Sequence, residues 1–154
     1  MNVRNITALV ILSSGAAFAQ APSEFGPRDA EHRMQQYVQT WEGNEATFAQ
    51  AVNTYYADRV IYYGKSMTRP QVLADKLRFV KSYPHRTYSI AAGTLRTNCK
   101  SGICQARAKL NWSRENASRR LERGISDLRL VLSAADGGRI VRESARTLRT
   151  RTEN

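Results

Sequence analysis

From Cys104 to Trp112 the chain alternates. Cys104, Ala106, Ala108, Leu110 and Trp112 take one phase, and Gln105, Arg107, Lys109 and Asn111 take the other. A period of two sends successive side chains to opposite faces, so this run buries its apolar set only as a strand with one dry face and one wet face. A sheet built on it needs a layer to cover the dry side. The residues before Pro84 supply that layer, because there the apolar period is helical.

Ala30, Met34, Tyr37, Val38 and Trp41 recur at helical spacing and stop near Gly43, which predicts a first amphipathic helix. Asn44 is placed to cap a second, with Phe48, Val52, Tyr55 and Tyr56 on its apolar side. A short β-branched and aromatic run, Val60 to Tyr63, closes at Gly64. Thr68-Arg69-Pro70-Gln71 has the form of a capping box, and Leu73, Leu77 and Val80 follow as one stripe of a third helix. Beyond Pro84 four long strands are expected as a meander: Arg86–Cys99, Cys104–Trp112, Leu121–Leu132 and Ile140–Leu148. Helices gathered ahead of an antiparallel sheet define an α+β fold, the three helices lying on one face.

The N-terminus predicts its own fate. One basic residue, an apolar stretch from Ile6 to Leu12 and the Ala17-Phe18-Ala19 triplet give a secretory signal over residues 1–19, cleaved near Ala19. From Ala8 to Ala19 the stretch holds two serines and a glycine and is well short of the roughly 20 residues of a membrane span. Residues 20–28 then read as a linker, 29–149 as one domain and 150–154 as a frayed tail. A periplasmic or secreted location makes a Cys99–Cys104 disulfide the expectation, closed across the turn Lys100-Ser101-Gly102-Ile103. A ring this small stabilises by only about 2 kcal/mol, and its spacing is not the C-x-x-C of redox catalysts.

The order of elements, together with Thr54-Tyr55-Tyr56-Ala57-Asp58-Arg59-Val60 and the strand ending at Gly64, resembles the nuclear transport factor 2-like superfamily, which includes SnoaL-like and ketosteroid-isomerase-like proteins. The Arg-Pro-Gln-Val helix start and Tyr83-Pro84-His85-Arg86-Thr87-Tyr88 are similar to a group of exported bacterial domains within it. The resemblance spans about Asp29 to Leu148. It implies a curved sheet wrapped on helices as a cone, with a pocket between. In the isomerase branch it implies a first-helix tyrosine, matched by Tyr37, that serves an oxyanion. The acid that acts as base there falls at or beside Tyr62 and Tyr63, and a phenol is a poor proton acceptor at neutral pH.

The expectation is therefore a pocket whose lining lacks a proton acceptor, with no catalytic residue assigned. Glu143 is the one substitute acid: it faces inward if Val141, Ala145 and Thr147 do, and outward if Ile140 and Leu148 set the phase. Tyr37, Trp41, Tyr56, Tyr63, Trp112 and Glu143 are the candidate lining, with ordinary core packing as the other reading of the aromatic set. Asp58 reads as a turn residue. His32 and His85 belong to no cluster with ligand spacing, so neither a metal nor another cofactor is expected.

Lys and Arg number 24 against 13 Asp and Glu, a formal charge of +11. Arg107 and Lys109 fall on the wet face of the clearest strand, and Arg119, Arg120 and Arg123 surround the next turn. That surface suits anions. Three functions follow: binding of a small hydrophobic ligand or an envelope protein without catalysis, a SnoaL-like isomerase or cyclase acting on a hydrophobic carbonyl compound, or binding of anionic envelope polymers. Nucleic acid is the poorer match outside the cytoplasm. Like charges on two outer faces predict a monomer or weak dimer.

Overall fold

The computed structural model describes residues 25–153; the signal segment and linker residues 20–24 lie outside the described residues. Helix α1 (Pro27–Gln39) starts where the Asp29 carboxylate accepts from the Gly26 N–H at 2.9 Å, and it tightens into a 3₁₀ turn at Thr40–Glu42. Helix α2 (Glu45–Tyr55) is capped as expected by Asn44, whose side chain accepts from the Thr47 N–H at 3.0 Å. Strand β1 (Tyr56–Tyr62) follows without a loop and turns at Tyr63-Gly64 into β2 (Lys65–Thr68). The Thr68 N–H donates to Gln71 at 2.8 Å, completing the predicted box at the start of α3 (Arg69–Ser82).

The remaining strands are β3 (His85–Ile90), β4 (Arg96–Lys100), β5 (Ile103–Glu115), β6 (Leu121–Ser133) and β7 (Arg139–Glu153). The sheet runs β2-β1-β7-β6-β5-β3, and β4 also pairs with β5. All pairings are antiparallel except β1 with β7. This is the expected α+β arrangement, except that β1 begins at Tyr56, expected on the second helix, rather than at Val60, and with three further corrections. The run Arg86–Cys99 is two strands, broken at Ala91–Leu95 around Gly93, whose φ is +69°. Residues 150–153, expected as a frayed tail, continue β7 and pair with β6 as far as Leu121. The β1–β2 hairpin carries a strand the sequence did not announce.

Met34, Tyr37 and Val38 of α1, Val52 of α2, Ala106, Ala108 and Leu110 of β5 and Leu128, Leu130 and Leu132 of β6 belong to one buried core. The dry phase of β5 is the predicted one. Cys99 and Cys104 are register partners and disulfide-bonded.

Strand β7 departs from simple alternation at two β-bulges. Ile140 pairs with Leu132 and Arg142 with Val131, leaving Val141 extra; Thr147 pairs with Ser126 and Arg149 with Ile125, leaving Leu148 extra. An inserted residue bends the strand and resets its phase. Both sequence alternatives for Glu143 assumed one unbroken phase. With Val141 inserted, Ile140 and Glu143 face the same way, and each is fully buried.

Candidate functional site

Glu143 collects donors from three elements. Its Oε2 accepts from the Tyr37 hydroxyl of α1 at 2.7 Å and from the Tyr56 hydroxyl at the start of β1. The two phenol oxygens also touch at 2.5 Å, so three oxygens share two protons. On the other side, Oε1 lies 3.5 Å from both the Tyr63 hydroxyl and Lys76 Nζ. The expectation that the interior lacks a carboxylate is overturned: one stands against Tyr37. The β7 bulge is the reason.

Lys76 is the residue the sequence reading does not single out. It sits in the buried stripe of α3 between Val72 and Val80, four residues from each, while Leu73 and Leu77 of the expected stripe are only partly buried. Its Nζ lies 5.0 Å from the Trp41 ring centre, 5.3 Å from Tyr62, 5.4 Å from Tyr37 and 5.6 Å from Tyr56. Four electron-rich faces and one carboxylate attract the ammonium, but burial in low dielectric costs more and draws the amine below its ordinary pKa. Burial, reinforced by the Glu143 charge, pushes the Tyr37, Tyr56, Tyr62 and Tyr63 phenols well above theirs.

Beside this cluster is an open cavity of about 350 Å³ between α3 and the sheet. Rings form half of its wall: Trp41, Phe48, Tyr62, Tyr63, Phe79, Tyr88 and Trp112, with Lys76, Asp75 and Arg114 as the charged members. Of the predicted lining, Trp41, Tyr63 and Trp112 are on the wall. Tyr37, Tyr56 and Glu143 lie behind it, each buried to within 1% of complete.

The wall is held in place from outside. The Arg86 guanidinium is buried beneath Trp41 and donates to the Trp41 carbonyl at 2.9 Å, the Tyr83 carbonyl at 2.7 Å and the Gly43 carbonyl. Trp112 Nε1 donates to Ser126 Oγ at 2.9 Å. Arg114 is steadied by Glu122 at 2.8 Å and lies over the Tyr83 and Trp112 rings. Trp41 Nε1 has no such partner: it is the buried side-chain polar atom without a hydrogen bond among the described residues. A buried donor left unpaired costs about 1–3 kcal/mol.

The other predicted residues lie elsewhere. Asp58 is exposed and pairs with Arg69. Among the described residues no group of His, Cys, Asp and Glu is arranged to hold a metal ion, and His32 and His85 are exposed. Arg107, Lys109 and Arg123 lie on the face of the sheet away from the helices, and Arg119 and Arg120 are exposed in the turn before β6.

Comparison with solved structures gives the architecture its place. A candidate scytalone dehydratase from Novosphingobium aromaticivorans superposes with a TM-score of 0.66 at 14% identity, covering 82% of this chain and 87% of that one. A nuclear transport factor 2-like superfamily protein from Salmonella enterica serovar Typhimurium gives 0.62 at 8% identity, over 78% and 92%. This is the nuclear transport factor 2-like fold. A type 2 hexachlorocyclohexane dehydrochlorinase shares it, with a TM-score of 0.61 at 10% identity over 82% and 86%. No protein-family model and no curated protein sequence matched the chain. At these identities the likeness is one of fold, and the scaffold hosts many functions.

Proposed function

We propose that the protein binds a small planar compound of one or two rings, bearing an oxygen acceptor, in the cavity beneath α3, and releases it unchanged. The observation that carries this reading is Lys76. Lys76 lines the cavity, yet among the described residues the one hydrogen-bond partner of its amine is Glu143 at 3.5 Å, the outer limit of such a bond. Donor capacity is left over on the amine. An oxygen atom entering the ring-lined cavity would use it, and about 350 Å³ is at the small end of ligand pockets. Glu143 supports binding rather than proton abstraction, because it is buried behind the wall and its Oε2 already accepts from Tyr37 and Tyr56.

Titration with 2-naphthol, followed by the fluorescence of Trp41 and Trp112, tests it. The expected result is saturable quenching and recovery of unaltered 2-naphthol; no saturable change would reject the reading.

A second reading rests on Tyr63. Its ring is on the cavity wall while its hydroxyl approaches Glu143 at 3.5 Å, so it spans ligand and carboxylate. A proton relay through it would serve an isomerase or cyclase acting on a hydrophobic carbonyl compound, and the same fold is shared by proteins named as a dehydratase and a dehydrochlorinase. Turnover of such a compound that is lost in both Tyr63→Phe and Glu143→Gln would establish it.

We also infer export. The Cys99–Cys104 bond supports an oxidising compartment, and among the described residues no helix is long and apolar enough to cross a membrane.

A further inference from the structure

The sheet face opposite the helices carries a second feature, independent of the cavity. Register between β4, β5 and β6 sets Arg96 beside Arg107 and Arg107 beside Arg129, a row of three guanidinium groups across adjacent strands. The neighbouring row sets Lys109 and Arg146 on either side of Asp127. Adjacent strands are about 4.8 Å apart and same-face residues about 7 Å apart, so five cations fall within roughly 15 Å around one carboxylate. Asp127 accepts from Arg107 at 2.7 Å and Arg129 at 3.3 Å, and the Arg107 hydrogen bond holds its carboxyl below the usual range. Those two arginine side chains are nonetheless 56% and 57% exposed. Asp127 therefore splays and steadies the guanidinium groups and leaves their remaining N–H edges to solvent. A depression of about 270 Å³ opens between Arg96, Arg107 and Lys109.

We propose that this face binds a linear chain of phosphate groups that carries no bases. Charge complementarity demands an anion, and two rows of cations across adjacent strands need several charges in line rather than a single ion. The guanidinium fork matches phosphate in a way an ammonium does not. Nothing here would hold nucleobases: the outward residues of β5 and β6 include no aromatic ring on which a base could stack. The same cations would repel a second copy of the face.

Long-chain inorganic polyphosphate is the probe, titrated against the full chain at several salt concentrations. The expected result is binding that weakens steeply with salt, is at least tenfold tighter than that of single-stranded DNA of equal charge, and falls at least tenfold in Arg107→Glu/Arg129→Glu. Those substitutions disturb Asp127, so Arg96→Glu/Arg146→Glu, which leaves its two hydrogen bonds in place, must weaken binding as well. Binding of 2-naphthol is expected to survive in both variants, so failure here and failure of the cavity reading are separable. Absence of polyphosphate binding, equal binding by the Arg96→Glu/Arg146→Glu variant, or equal affinity for the DNA would overturn the proposal.

Discussion

Glu143 Oε2 lies 2.7 Å from the Tyr37 hydroxyl, across 106 residues of chain. The first helix and the last strand are tied at a buried point. Lys76 and Tyr56 reach the same carboxyl from a third helix and from the first strand, so four elements converge on one side chain. Such a junction fixes the position of the cavity wall beside it.

Removing one member of this junction should cost far more than removing the charge pair. Breaking a buried ion pair on one side costs about 3–5 kcal/mol. Glu143→Gln and Lys76→Met are each expected to lose roughly that much in urea denaturation, and the double variant less than either single one, since it leaves no uncompensated charge. Additive losses would show that the two groups do not sense each other.

Alkaline pH should unfold the protein through its phenols. Tyr37, Tyr56, Tyr62 and Tyr63 are raised well above 10.0, and burial pushes Tyr88 up to about 12. Below pH 10 both folded and unfolded chains hold these protons. Above it the unfolded chain releases them first, so the stability they contribute is lost as pH climbs. Lys76 works the other way: its folded value is lowered, so its contribution rises with pH up to its ordinary 10.5. One amine opposes five phenols, and the net slope is expected to be downward. Phenolate absorbance from these five should grow together with the loss of circular dichroism. Their ionisation ahead of unfolding would contradict the burial described.

Gly124 is expected to tolerate no side chain. A Cβ there would stand 2.3 Å from the Arg149 carbonyl oxygen and 2.3 Å from Trp112 Cζ2. The backbone cannot yield, so the indole must shift toward the cavity. Gly124→Ala should lose about 1–3 kcal/mol, as overpacked sites do, and weaken 2-naphthol binding. An unchanged midpoint and affinity would mean that Trp112 is loosely held.

Reduction of Cys99–Cys104 should cost only about 2 kcal/mol, because the closed ring is short, and should leave the cavity intact. The bond joins two strands already in register. Loss of 2-naphthol binding on reduction alone would show that the hairpin supports the site.

The helices, their caps and the β5 phase were legible because each is a local pattern: Asn44, the Thr68–Gln71 box and the alternation from Cys104 to Trp112 act over a few residues. Strand β2 was not, since Lys65-Ser66-Met67-Thr68 offers one apolar residue and gains its place only by pairing with β1. The orientation of Glu143 hung on a bulge at Val141, which tertiary pairing imposes and no propensity announces. Lys76 was hidden by its charge. Its position four residues from Val72 and from Val80 was the available signal, and it reads as a polar interruption until the rings of Trp41, Tyr37, Tyr56 and Tyr62 are assembled around it.

The central claim is that Lys76 gives the cavity a preference for an oxygen-bearing ring. Titration calorimetry with 2-naphthol and with naphthalene measures that preference directly. In the native protein 2-naphthol should bind about tenfold or more tightly, the worth of one hydrogen bond to a charged or strongly polar donor. In Lys76→Met/Glu143→Gln, which removes both buried charges together, the advantage should vanish while naphthalene still binds. Equal affinities in the native protein, or a preference that persists in the double variant, would contradict the account.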